Sequence, residues 1–170
     1  MITFRPESPE DIAAIAEVNR QAFGQPGEAD LVDELRAVGA LSLSMVAEAD
    51  GKVVGHVAFS PMRLDQQPDT PRALGLGPMA VLPEYQNQGI GLGLLQAGLD
   101  ACRQQGVEIV LVLGHPKFYP RAGFEPASGF GIRCEYNAPE EAFMAIELVP
   151  GSITQYAGVA HYHPAFGKVT

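Results

Sequence analysis

The stretch from Leu74 to Gly93, LGLGPMAVLPEYQNQGIGLG, constrains the fold more than any other part of the chain. It opens as an apolar strand, is interrupted by Gly77-Pro78, resumes as Met79-Ala80-Val81-Leu82 and turns at Pro83. A polar, uncharged segment follows, Tyr85-Gln86-Asn87-Gln88, and then glycines at alternate positions, Gly89, Gly91 and Gly93. Beyond them a helical pattern runs from Leu94-Leu95 to Arg103-Gln104-Gln105, with Gly106 placed as its C-cap. A strand that feeds a Gly-rich loop opening a helix is an anion site in outline. Unpaired backbone N–H groups and the positive helix end face one point, and glycine lets a phosphate come close to the main chain. Pro78 cannot donate to a ladder, so inside a central strand it implies a bulge or a splayed edge.

The spacing excludes two nucleotide readings of this loop. A P-loop needs Gly-Lys-Ser/Thr, and no lysine lies between Val53 and Pro116. A dinucleotide or S-adenosylmethionine site wants its glycines directly after the strand and an acidic residue closing the next one. Here Gly89 comes seven residues after Leu82, and the next strand, Val107 to Leu113, closes on Gly114.

Elsewhere the pattern alternates strands with helices. Ile2 to Arg5 reads as a first strand, and Ser8-Pro9-Glu10-Asp11 as a helix start. The helix after it presents Ile12, Ile15, Asn19 and Phe23 on one face, beside Ala16 and Ala22. After Gly24-Gln25-Pro26-Gly27, a second helix from about Glu28 turns Leu31, Leu35 and Val38 inward and stops at Gly39. Leu43–Ala49 and Lys52–Ser60 form a hairpin on Asp50-Gly51. Pro61 to Arg72 reads as an exposed connection. Val107 to Leu113 is a continuous apolar run, as in a strand covered on both faces, and with the preceding strand and helix it makes a right-handed βαβ unit. Strands follow at Phe143–Val149 and Gly158–Tyr162, the last one an exposed edge open to a partner's strand.

Composition narrows the function classes. A chain of 170 residues with 46% apolar content is expected to form one domain over residues 1–170. Its net charge of −9, with 11 Lys and Arg, argues against nucleic acid, which needs clustered basic residues. No apolar run approaches a membrane span and the N-terminus lacks signal-peptide anatomy, so the expected place is the cytoplasm, as monomer or homodimer. Cys102 and Cys134 have no metal-type spacing and read as reduced thiols, Cys102 buried on the apolar side of its helix.

Three motifs, in order, carry a resemblance. Gln86-x-x-Gly89-x-Gly91 resembles the pyrophosphate loop of the GNAT superfamily of N-acetyltransferases. Phe118-Tyr119-Pro120-Arg121-Ala122-Gly123-Phe124 is similar to the Tyr-x-x-x-Gly-Phe signature after that family's fifth strand. Leu76 to Gln86, with Gly158-Val159-Ala160-His161-Tyr162, looks like a bacterial subgroup of predicted acetyltransferases. The resemblance implies an α/β fold: a mixed, mostly antiparallel sheet flanked by helices and splayed between its fourth and fifth strands, where the pantetheine arm enters. It implies acetyl-CoA as cosubstrate and direct transfer to the primary amine of a small molecule or peptide. A CoA-binding sensor or interaction module on the same fold is the competing reading, kept open by the missing carboxylate on the fourth strand.

Site residues follow from that resemblance. The main chain of Gln88, Gly89, Ile90, Gly91, Leu92 and Gly93, with the Gln86 and Asn87 turn, is expected to hold the pyrophosphate. Met79, Ala80 and Val81 are expected to offer main-chain groups to the pantetheine and the thioester carbonyl. Tyr119 is the expected acid, since a phenol near pKa 10 can protonate a thiolate near 8.5 through close coupling. For a base the candidates are Glu84, just past the strand, and His115, at the end of the next. The bland readings are a solvated helix-start acid for Glu84 and a packed aromatic for Tyr119. His56, mid-strand, reads as a half-exposed structural histidine, and His161-x-His163 as strand polarity with no third metal ligand. Lys117, Arg121 and Arg133 are the cations available to the 3′-phosphate of CoA. The acceptor pocket falls to the N-terminal helices, Phe130 to Glu141 and the C-terminal segment.

Overall fold

The computed structural model describes residues 1–169. Along the chain run β1 (Ile2–Pro6), α1 (Ile12–Phe23), α2 (Gly27–Ala37), β2 (Leu43–Ala49), β3 (Lys52–Pro61), β4 (Arg63–Gln66), β5 (Ala73–Val81) and α3 (Ile90–Gln104). They are followed by β6 (Ile109–Leu113), β7 (Glu125–Pro126), β8 (Ile132–Cys134), β9 (Phe143–Glu147) and β10 (Ala157–His161). Seven strands form one sheet in the order β1-β2-β3-β5-β6-β9-β7, and β4-β10-β8 form a second. Only β5–β6 runs parallel in the large sheet, since the α3 crossover separates them. The two strands expected to splay, Leu74–Leu82 and Val107–Leu113 in the sequence, are β5 and β6 here.

Local chemistry explains the joints. Asp50 and Gly51 both take positive φ, 50° and 82°, the backbone that a two-residue hairpin with right-handed strand twist requires. Helix α3 stops where Gly106 turns left-handed at φ 79°.

The pleat sorts the strands onto two faces. Val110 and Val112 of β6 share a cluster with Leu94, Leu95 and Leu99 of α3. Ile109 and Leu111 instead meet Ile132, Tyr156 and Ala160 of the small sheet. Helices α1 and α2 lie on that second side, where Ile15 and Val32 pack on Val46 and Ala58.

Four details depart from the sequence reading. Within Pro61–Arg72 lies β4, held because Leu64 is buried in the small-sheet core while Arg63 and Asp65 point outward; four residues are too few for that alternation to register. The last strand is no free edge: β10 sits between β4 and β8. Ile12, Phe23 and Val38 are exposed; α1 buries Ile15, Ala16 and Asn19 as expected, with Val18 in addition. His56 is fully buried, bonded to Ser44 Oγ at 2.9 Å and Asn19 Nδ2 at 3.2 Å.

Candidate active site

Strand β5 is half paired. It meets β6 only from Ala73 to Leu76, opposite Ile109 to Val112. On its other side, where Met79 faces Val57 and Leu76 faces Phe59, Gly77 and Pro78 together stand against Ala58. That bulge lies at the point where β5 and β6 part. Past it, Leu82 N–H donates to the Val54 carbonyl of β3 at 2.8 Å. Successive residues of a strand turn their main chains to opposite sides. Ala80 therefore faces β3 with both its polar groups, while Met79 and Val81 face the unpaired side. The expectation of three free residues narrows to two.

The loop is braced by Gln86, whose amide donates to the Val81 carbonyl at 2.9 Å. Left-handed residues at Asn87 (φ 62°) and Gly89 (φ 82°) then aim the chain into α3. The first bond inside the helix runs from Gly93 N–H to the Gly89 carbonyl, 3.1 Å, so the N–H groups of Ile90, Gly91 and Leu92 have no carbonyl partner. Gly91 and Leu92 border a cavity of about 360 Å³ together with Met79, Val81, Gln86, Asn87, Phe118 and Arg121, while Ile90 is buried and borders no part of it. Two further expected loop donors fall outside this arrangement. Gly93 spends its N–H in the helix, and Gln88 borders no part of the cavity, its amide turned back to the Glu84 carbonyl at 3.2 Å.

A larger cleft of about 690 Å³ begins on the other side of Met79, which borders both spaces. Its floor is the splayed ends of β5 and β6. Phe23, Glu28 and Leu31 of the α1–α2 corner line it together with Tyr136, Tyr162 and Phe166, the last packed against the cluster that holds Leu31. Tyr119 also borders it, 8% exposed. Its ring meets Phe118 and Phe124 edge-on, at 5.0 and 5.7 Å between centroids. Gly114 makes room for it, because a Cβ there would stand 2.4 Å from Tyr119 Cε2. Burial pushes the Tyr119 phenol up to about 12. The Tyr162 hydroxyl is buried without a partner among the described residues, and burial raises its phenol further still.

Neither base candidate reaches the cleft. Glu84 is exposed on the short turn Pro83–Tyr85, and His115 is exposed with Nδ1 accepting the Lys117 N–H at 3.2 Å. Both border neither space, because each belongs to a turn that leaves the sheet toward solvent. Of the three cations only Arg121 stands at the loop cavity. His161 gives its two nitrogens to Asp65 and Glu135, 3.2 Å each, and no cluster among the described residues suits a metal ion. No helix among them is long and apolar enough to cross a membrane. Glu28, Tyr136 and Phe166 lie in the three segments named for the acceptor pocket, but no motif around them singled them out.

Comparison with known proteins agrees with this geometry. The acetyltransferase (GNAT) domain family matches residues 3–127. The uncharacterized N-acetyltransferase YhbS of Escherichia coli is 37% identical over 165 residues, 96% of this chain and 98% of that protein. The crystal structure of E. coli YhbS in complex with CoA superposes with a TM-score of 0.93 at 35% identity, covering 99% of this chain and 93% of that one. A GNAT family acetyltransferase from Brucella melitensis, solved in complex with acetyl-CoA, gives a TM-score of 0.80 at 36% identity over 98% of both chains.

Proposed function

The chain belongs to the GNAT family of acetyltransferases, and from that premise we propose that it moves an acetyl group from acetyl-CoA to a primary amine by direct attack in a ternary complex. The observation that carries the reading is the adjacency of the two spaces: the helix N-terminus stands at one, Tyr119 at the other, and Met79 borders both.

The residues present fit such a cosubstrate. The N–H groups of Gly91 and Leu92, the positive end of α3 and the Arg121 side chain supply what a pyrophosphate needs. The outward main chain of Met79 and Val81 offers the donors and acceptor that an amide-bearing arm would pair with, as an added strand would. Acetyl-CoA supplies the activated thioester. Met79 N–H is the donor placed to stabilise charge building on a carbonyl oxygen at the junction.

Attack forms the C–N bond and breaks the C–S bond; the nitrogen loses one proton and the sulfur gains one. Tyr119 donates toward the sulfur. Its phenol near 12 stands about 3.5 units above a thiol near 8.5, an uphill gap of about 5 kcal/mol for full transfer. It therefore acts by hydrogen bond, passing its proton only as another replaces it.

The test is a thermal melt with acetyl-CoA, CoA, NADH and S-adenosylmethionine in parallel. A ligand of the native state at 100 times its Kd adds about 2.7 kcal/mol, or several degrees for a chain of this size. Shifts with acetyl-CoA and CoA alone are expected; no shift with either at millimolar ligand overturns the reading.

A further inference from the structure

Resting on the acetyl-transfer reading, we propose that the acceptor is a primary amine on an apolar, ring-bearing body without a carboxylate; its ammonium is held by Glu28 on entry and gives one proton through that half-exposed carboxylate to solvent, so that the neutral amine attacks.

Glu28 is the one charged side chain among the described residues that border the cleft. It is half-buried, and its carboxylate is met only by the Gln25 amide, at 3.1 and 3.2 Å, with no cation in ion-pair range among the described residues. Its neighbours on α2 differ: Glu34 pairs with Lys168 at 2.6 Å and Asp33 with Arg36 at 3.1 Å. A carboxylate beside an apolar cleft without a protein counter-charge is a site for a cation brought from outside.

The rest of the lining is rich in aromatic rings. Tyr162 stacks with Tyr136 at 5.9 Å between centroids, 26° apart, and tilts against Phe166 at 4.8 Å. Phe23 and Leu31 of the helices line the same cleft. That aromatic and apolar lining suits a ring.

The cleft also rejects by charge. No Lys, Arg or His is among its described lining, so an acceptor carboxylate would enter apolar surroundings unpaired. A polyamine would bring a second ammonium with no second carboxylate to meet it. Amino acids and polyamines are thus disfavoured against a monoamine of similar size.

The experiment measures thiol release from acetyl-CoA with 2-phenylethylamine, L-phenylalanine, spermidine and an alanine-initiated peptide, with acetyl-CoA binding followed by calorimetry on the same enzyme. The expected kcat/KM for 2-phenylethylamine exceeds that for each of the others by about 100-fold, as one unpaired buried charge requires. Glu28→Gln should raise the amine KM by about tenfold or more with the acetyl-CoA Kd unchanged, and Glu28→Lys should narrow the gap to L-phenylalanine. The proposal is overturned by preference for any of the other three acceptors, by no turnover of any, or by an amine KM indifferent to Glu28→Gln. With acetyl-CoA still bound, such a result leaves the cosubstrate reading intact. Absence of acetyl-CoA binding by the wild-type protein overturns both.

Discussion

A Cβ on Gly91 would stand 3.5 Å from Phe118 Cζ, in ordinary contact, whereas one on Gly93 would stand 2.4 Å from Phe4 Cζ. Gly89 has open space but holds φ at 82°, which side chains adopt at a cost. Three glycines in one pattern thus serve phosphate access, strand packing and backbone direction respectively. Gly91→Asp is the clean test of phosphate binding, since it adds bulk and negative charge without backbone strain. Calorimetry should show acetyl-CoA affinity reduced by about 100-fold or more, with thermal stability changed little. Gly89→Asp should lose affinity as well but melt lower. At Tyr119 the expectation concerns turnover. Tyr119→Phe keeps the ring contacts with Phe118 and Phe124 and removes only the hydroxyl, so kcat should fall about 100-fold while the acetyl-CoA Kd stays put. Equal losses in both would remove Tyr119 from the chemistry.

Helix α3 approaches the sheet through another glycine. A Cβ on Gly98 would lie 2.8 Å from both Cε1 and Cζ of Phe59, a fully buried ring with nowhere to move. Alanine is the better helix former by about 1 kcal/mol, yet overpacking against a fixed ring costs about 1–3 kcal/mol. Gly98→Ala should therefore lower the urea midpoint, and a raised midpoint would mean that α3 can lift off the sheet without loss. Elements with a full period or a specific turn were readable: β5, the end of α3 and the Asp50-Gly51 hairpin lie where the pattern put them, within a residue or two, while α3 begins four residues earlier, inside the glycine run. Short strands were not. The stretches β4, β7 and β8 hold four residues or fewer, and each exists because a neighbouring strand pairs with it.

At the scale of the molecule, His56 couples folding to pH. It joins β3 to β2 through Ser44 and to α1 through Asn19, and burial lowers its imidazole to about 4 from the usual 6.5. Above pH 6.5 both folded and unfolded chains carry it neutral, so it contributes no pH dependence there. Below that the unfolded chain takes up a proton that the folded one refuses, and stability falls with pH until about 4. Between pH 7 and pH 5 the loss should approach 2 kcal/mol by urea unfolding. The Asp11 carboxylate, which the Arg5 guanidinium holds down to about 2, loses its contribution only at more acid pH. His56→Gln should flatten the slope between pH 7 and pH 5, whatever it does to stability at neutrality. An unchanged slope would place the titrating group elsewhere.

The chain's own order determined the cosubstrate side of this protein. Pro78 inside a strand, the glycines at the head of α3 and Tyr119 before Gly123-Phe124 are local features, and backbone bulging, unpaired helix N–H groups and turn geometry act over a few residues. On the acceptor side the sequence named only the segments, and tertiary structure decided which of their side chains meet. Glu28, Tyr136, Tyr162 and Phe166 come from a helix start, a loop, a strand end and a C-terminal turn, and they share one cleft only because the small sheet and α2 pack on the same face of the large one. Packing also withdrew Ala80 and Gly93 from the site, the first through pairing with β3 and the second by its place in the helix's first turn. A contact between residues far apart in sequence leaves no period in the chain. It is set by which faces must be covered, and only the folded molecule settles that.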